Sequence, residues 1–309
     1  MNIAILGATS HIAKGLIINF LTKTNHEMSL FGRSNERINN FLLEEKLICD
    51  RILNYTEFFN YQYDVIINCV GIGRPEKIKE AGYGIFLITE NFDNLVIEYL
   101  GKQPQAIYIN FSSGAVFGKE FGKPIDKDSS SSINVNSLDN SDAYGLAKLN
   151  SEAKHRALSD LHIVDIRIFS YFSHNIDLES KFLLSEVVSA INNSKILFTN
   201  KDDIVRDYIH PLDLFQLINC CIGNSKTNDV FDAYSKKPIT KFELFDALAK
   251  KYNFKYKIKS GVSKDSSTGA KNVYYSINHK AKSIGYNPKY TSLEAISEES
   301  SIMIRTNHE

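Results

Sequence analysis

Apolar residues fall along this chain in two alternating rhythms. "MNIAIL" is a short continuous run that turns at Gly7, and the segment after it places apolar residues at helical spacing through Ile12, Leu16, Ile17 and Phe20. That order predicts strand, tight turn, helix. "EMSLFGRS" follows as a second short strand. "YDVIINCVGIG", "PQAIYINFSSG" and "HIVDIRIFSYFS" have the unbroken hydrophobicity of strands buried on both faces. Helical patterns lie between them, notably "ENFDNLVIEYLGK" and the segment beginning at Tyr144. The alternation predicts an α/β fold, a doubly wound parallel sheet of Rossmann-like type, with ligands at the carboxyl ends of its strands.

Beyond about residue 172 the rhythm changes to a helix, a "KILFTN" strand, a polar loop and a helix opened by "HPLDLFQLINCC", followed by an irregular Lys/Asn/Ser-rich part. Residues 1–172 are therefore expected to form the nucleotide-binding domain. Residues 173–309 are expected to form mainly a smaller C-terminal α/β cap that binds substrate, interleaved with the main domain, with a segment near 204–235 returning to it. The biased stretch "DKDSSSSINVNSLDNSD" (126–142) reads as a polar loop, and its place just before Tyr144 also suits gating. No internal repeat stands out.

The chain has 309 residues, with 43% hydrophobic content and 11% aromatics, enough for a substantial core. Thirty-six basic and thirty-six acidic side chains cancel, so no overall field favours nucleic acid or an anionic membrane, and a small-molecule partner is expected. Cys49, Cys69, Cys220 and Cys221 lack the spacing of a metal or redox pair and read as buried free thiols. The opening apolar run is broken by "GATSH", unlike a secretory signal, and no apolar stretch approaches the ~20 residues of a membrane span. A soluble protein of a reducing cytoplasm is the expectation.

The first turn reads Gly7, Ala8, Thr9, Ser10, His11, Ile12, Ala13, where a dinucleotide fingerprint would carry three glycines. Gly7 suits the tight turn. The backbone N–H groups of Thr9 to Ile12 can hold a pyrophosphate at the helix N-terminus. Ser10 and Ala13 are small but lack glycine's conformational freedom, and on this fragment a turn that binds no nucleotide fits as well. The second strand ends "LFGRSNER", with Arg33, Ser34 and Arg37 where an NAD site would offer a carboxylate to the ribose. Guanidinium and hydroxyl suit a 2′-phosphate and favour NADP (NADPH) over NAD, the alternative being a solvated loop.

Tyr144 and Lys148 stand four residues apart, on one face of a helix. Alone they would make an ordinary surface pair. Together with a serine in "INFSSGAVFG" they resemble the catalytic set of the short-chain dehydrogenase/reductase superfamily, specifically its extended branch of nucleotide-sugar epimerases, dehydratases and reductases. "ILGATSHIA", "DVIINCVG", "FSSGAVFG", "YGLAK", "IRIFSYFS", "VRDYIHPLDL" and "AKSIGYNPKYTSLEAI" follow in the family's order over nearly the whole chain.

The resemblance implies roles. Ser113 orients the substrate oxygen, with the adjacent Ser112 as its backup in binding substrate. Tyr144 exchanges the proton, its pKa lowered from ~10 by Lys148, and Lys148 also holds the nicotinamide ribose. Val70 and Gly71 border the cofactor, and Asn91 resembles the family's asparagine opening the helix beside the nicotinamide. Arg206 meets the substrate diphosphate, the alternative being a surface ion pair, while Asp207 and Arg167 are expected to be structural. His11 and His210 lack a ligand partner at usable spacing, so no metal is predicted.

The family's 4,6-dehydratases carry Asp and Glu directly after the catalytic Ser/Thr, where this chain has Gly114 and Ala115. Elimination is thus disfavoured. The expectation is an NADPH-dependent reductase of a nucleotide-linked 4-keto-6-deoxyhexose. A nucleotide-sugar 4-epimerase with retained NAD is the nearest alternative, and a catalytically silent nucleotide-binding regulator is the alternative from another class. The resemblance also implies a homodimer formed through the "ENFDNLVIEYL" and Tyr144 helices.

Overall fold

The computed structural model describes residues 1–73, 75–118, 121–224, 227–259 and 272–304. In its first strand, β1 (Asn2–Leu6), Ile3 and Ile5 enter one core cluster while Ala4 and Leu6 enter another on the opposite face. Successive side chains leave a strand on alternate sides, so a strand covered on both faces needs apolar residues throughout. This is why the sequence shows runs and not alternation.

After β1 come α1 (His11–Lys23), β2 (Glu27–Phe31), α2 (Asn35–Glu44), β3 (Arg51–Leu53), β4 (Val65–Asn68), α3 (Pro75–Ala81), α4 (Gly84–Lys102), β5 (Ile107–Ser113), α5 (Ala143–Ala157) and β6 (Ile163–Ile168). The chain continues with β7 (Ser170–Tyr171), α6 (Leu183–Asn192), β8 (Leu197–Thr199), β9 (Val205–Arg206), β10 (Tyr208–Ile209), α7 (Pro211–Gly223), β11 (Asp229–Asp232), β12 (Ile239–Thr240), α8 (Lys241–Tyr252), β13 (Tyr256–Ile258), β14 (Val273–Tyr274) and α9 (Ser292–Met303).

Seven strands form the central sheet in the order β11-β6-β5-β4-β1-β2-β3, every pairing parallel. This is the doubly wound sheet expected from the sequence. Apolar faces of α1, α2 and α7 cover one side through Phe20, Phe41 and Leu217, and α4 covers the other through Val96, Tyr99 and Leu100. Strand order reverses between β1 and β4, where a doubly wound sheet opens its binding crevice. β11 follows cap segments in the chain, yet it completes the sheet beside β6.

Around Phe172, Leu184, Val188, Phe245 and Ile296 a further apolar cluster, separate from the two on the sheet faces, joins α6, α8 and α9. Its strands form two small sheets, β12-β9-β14 and β13-β8. Capping boxes start α8 (Thr240 with Glu243) and α9 (Thr291 with Glu294). All four cysteines are free thiols: Cys69 and Cys221 are buried, whereas Cys49 and Cys220 are only partly so. Among the described residues no helix is long and apolar enough to cross a membrane.

Candidate active site

A cleft of about 1320 Å³ runs along the carboxyl ends of the strands, between the β1–β4 crevice and the cluster of α6, α8 and α9. That exceeds the roughly 300–1,000 Å³ of an ordinary single-ligand site. At one end Gly7 makes the turn after β1 with φ +77°, and a β-carbon there would stand 2.9 Å from the Cys69 carbonyl carbon. Glycine alone fits this crossing of two backbones. Ser10 caps α1 by accepting the Ala13 N–H at 3.3 Å, and Thr9, Ser10, His11 and Ile12 line the cleft.

The fingerprint's last position is the fully buried Ala13, and two residues on Gly15 makes room for the Tyr171 hydroxyl, from which an added β-carbon would lie 2.1 Å. His11 stands edge-on to the Tyr171 ring with centroids 4.9 Å apart, and burial lowers its imidazole pKa to about 4. The ring is therefore neutral at neutral pH.

Arg33 and Arg37 line the cleft beyond β2, as Val70 and Gly71 do beyond β4. Among the described lining residues the carboxylates are Asp177 and Asp202, both contributed by the chain beyond β7. Two of the expected residues, Ser34 and Asn91, are not among the described lining residues. The Ser34 hydroxyl accepts the Arg37 N–H at 3.3 Å and is used as the cap of α2. Asn91 does not open a helix: α4 begins at Gly84, which puts Asn91 two turns inside it on an exposed face and outside the lining.

At the reactive end Ser113 closes β5, and Tyr144 and Lys148 come from the first two turns of α5; all three line the cleft. Gly145 makes this approach possible, because a β-carbon there would meet the Ala115 carbonyl oxygen at 2.6 Å. The buried Lys148 ammonium donates to the Phe111 carbonyl at 2.8 Å. Burial lowers its pKa, opposed by the charges of Asp93, Asp165 and Glu152. Tyr144 differs from expectation. Burial raises its pKa above the usual tyrosine value, opposed by the Ser113 hydroxyl.

Ser112 points away from Ser113 along the strand and donates its hydroxyl to the buried Glu152. Its side chain is thus used internally. Arg206 is 8% exposed, lines the cleft, donates to the Val205 carbonyl at 2.8 Å and lies 5.7 Å from the Tyr274 ring centroid. Asp207 accepts from the Ser235 backbone at 2.9 Å and from the Ser292 hydroxyl at 3.0 Å. Arg167 joins Glu152 on α5 to Asp232 on β11.

Sequence reasoning missed Tyr274. Its hydroxyl lies 3.1 Å from Ser113 Oγ, across 161 residues of chain, and it comes from a two-residue strand in a polar region. Phe169 was missed as well. Its ring fills the space beside Gly114, where a β-carbon would come within 2.4 Å of Cε1. Beneath the site His155 bridges Asp93 (2.7 Å) and Asp165 (2.9 Å). Burial alone would lower its pKa, but the hydrogen bonds to Asp165 and Asp93 prevail and raise it to about 9. Among the described residues no cluster of three or more His, Cys, Asp or Glu is placed to hold a metal ion.

A parallel sheet that reverses order beside a helix-opening turn, carrying serine, tyrosine and lysine at its strand ends, defines a Rossmann-like protein of the extended short-chain dehydrogenase/reductase type. The chain belongs to the NAD dependent epimerase/dehydratase family, whose model matches residues 3–235. Comparison with curated proteins returns no match.

Solved structures share the fold at low identity. UDP-glucose-4-epimerase from Stenotrophomonas maltophila, with bound NAD and formylated UDP-arabinopyranose, has a TM-score of 0.81 at 13% identity over 98% of each chain. UDP-glucuronic acid 4-epimerase from Bacillus cereus, in complex with UDP-glucuronic acid and NAD, has 0.78 at 14% over 98% of this chain and 99% of that one. dTDP-glucose 4,6-dehydratase from Bacillus anthracis, in complex with NAD, has 0.73 at 16% over 97% and 96%.

Proposed function

We propose that this protein is an NADPH-dependent reductase of a nucleotide-linked 4-keto-6-deoxyhexose. The carrying observation is the pairing of a Ser113, Tyr144 and Lys148 set with a basic cleft end at Arg33 and Arg37, where no carboxylate stands among the described lining residues. Gly7 and the N–H groups of Thr9, His11 and Ile12 fit a pyrophosphate, the Ser10 N–H being donated to the Gly7 carbonyl at 2.9 Å, and Arg33 and Arg37 fit a 2′-phosphate. Val70 and Gly71 border the other half. When bound, the nicotinamide supplies hydride to the keto carbon.

The chain's own residues do the rest. Tyr144, kept protonated by burial, gives its proton to the keto oxygen as reduction requires. Ser113 donates a hydrogen bond to that oxygen, and Lys148 holds the ribose hydroxyls and steadies the negative charge left on Tyr144. Arg206 binds the substrate diphosphate. The sheet strands of residues 1–172, completed by β11, carry the cofactor, while most of residues 173–309 cover the substrate.

A 4-epimerase with retained NAD is the second reading, supported by the likeness to two 4-epimerases whose complexes contain NAD. Absorbance at the reduced-nicotinamide band separates the two, measured with NADPH or NADH and a panel of 4-keto-6-deoxy nucleotide sugars. Consumption of NADPH with one sugar, and little of NADH, supports the reductase. No consumption, together with NAD found bound to the purified protein, supports the epimerase. We also propose a cytoplasmic homodimer formed through α4 and α5, where Leu87 is 53% exposed; Leu87→Asp is expected to yield monomer in light scattering.

A further inference from the structure

We infer that Tyr274 sets the direction of the Ser113 hydroxyl proton and is a positioning residue for the reactive set. The inference deepens the proposed function and rests on it for its kinetic consequence alone. Ser113 Oγ has one donor and two acceptor sites. It accepts the Ala115 N–H at 3.2 Å and lies 3.1 Å from the Tyr274 hydroxyl. With Tyr274 donating, both acceptor sites are filled, and the serine proton turns to what faces it across the cleft: Tyr144 and the substrate oxygen.

Tyr274 keeps the proton that this direction requires. Only 1% of it is exposed, and burial, opposed by Ser113, pushes its phenol far above the ordinary tyrosine range, so it keeps its proton. Its ring is held between Phe121 and Phe169, with centroids at 5.2 and 5.3 Å.

The three residues after it fix the mount. The Ile125 N–H donates to the Tyr275 carbonyl at 3.0 Å and the Ile277 N–H to the Ile125 carbonyl at 2.7 Å. Ser276 donates to Asp232 at 2.6 Å. Asp232 lies on the last strand of the main sheet, and Arg167 joins it to Glu152 on the helix that carries Tyr144 and Lys148. Tyr274 is therefore tied to the frame of its catalytic neighbours through Ser276 and Asp232, while its own strand, β14, pairs with β9 of the small sheet.

The test uses Tyr274→Phe, which removes the hydroxyl and keeps the ring. Tyrosinate absorbance of the wild type minus that of Tyr144→Phe reports Tyr144 and needs no substrate. In the Tyr274→Phe background this titration is expected to move to higher pH, as in Ser113→Ala, and no further in the double variant. With a turned-over sugar, kcat is expected to fall about tenfold with KM unchanged, and the double variant to match Ser113→Ala alone.

An unmoved Tyr144 titration, a wild-type kcat, or losses that multiply would overturn the inference. If no nucleotide sugar is turned over at all, the proposed function fails while the titration still decides the role of Tyr274. Should Tyr274→Phe not fold, Ser276→Ala loosens the mount and leaves the hydroxyl: a titration moved the same way supports the inference, and an unmoved one overturns it.

Discussion

The α-carbon of Gly114 faces the Phe169 ring so closely that a β-carbon would stand 2.4 Å from its edge. Phe169 cannot retreat freely, because Tyr274 packs against it at 5.3 Å. The position where the family's dehydratases carry their acid is thus closed to any side chain. Gly114→Asp is expected to give no elimination activity and to lose about 1–3 kcal/mol from overpacking, with a further cost for a carboxylate without a partner. Thermal unfolding would show a fall of several degrees. An unchanged melting temperature would mean that the ring moves aside.

Removing the phenolic hydroxyl separates chemistry from binding. Tyr144→Phe is expected to lower turnover by about 10²- to 10⁴-fold while cofactor affinity, read by quenching of reduced-nicotinamide fluorescence, stays near wild type. Lys148→Met should lose both, since the lysine is proposed to hold the ribose.

Cofactor choice is expected to reside in the guanidinium groups beyond β2. Arg33→Ala should lower kcat/KM with NADPH by roughly 10- to 100-fold, the worth of a hydrogen bond to a charged group, and leave NADH nearly unaffected. A parallel loss with both cofactors would assign Arg33 to general binding.

His155 ties stability to pH. Its native pKa of about 9 lies above the ordinary 6.5, so the folded state holds the proton more tightly than the unfolded chain. The stabilisation, on the order of 3 kcal/mol, is complete below pH 6.5 and is lost as pH rises through about 9. Urea midpoints should fall across that window in the wild type and change much less in His155→Gln.

Local features were legible in the sequence. β1, β4, β5 and β6 appeared as unbroken apolar runs because both of their faces are covered, and Tyr144 with Lys148 appeared because helical spacing is a local property. What escaped depends on distant partners. Nothing near Tyr274 names Ser113, 161 residues away. Gly15 is needed for the approach of the Tyr171 hydroxyl, a contact that lies 156 residues away in the chain. Asn91 was misplaced because the length of α4 is set by packing, and Ser34 because one hydroxyl serves a helix cap or a ligand equally well in sequence.

The late return of β11 to the sheet decides how this chain can be cut. A fragment ending at residue 172 would leave β6 as an open edge inviting other chains, and would strip Arg167 of one of its two carboxylates. Its neighbour Glu152 would then hold the guanidinium alone at a newly wetted flank. Such a piece is expected to aggregate even though its nucleotide crevice is complete. Exchange of the covering half between relatives should keep Asp232 and Ser276 together on one side of every junction.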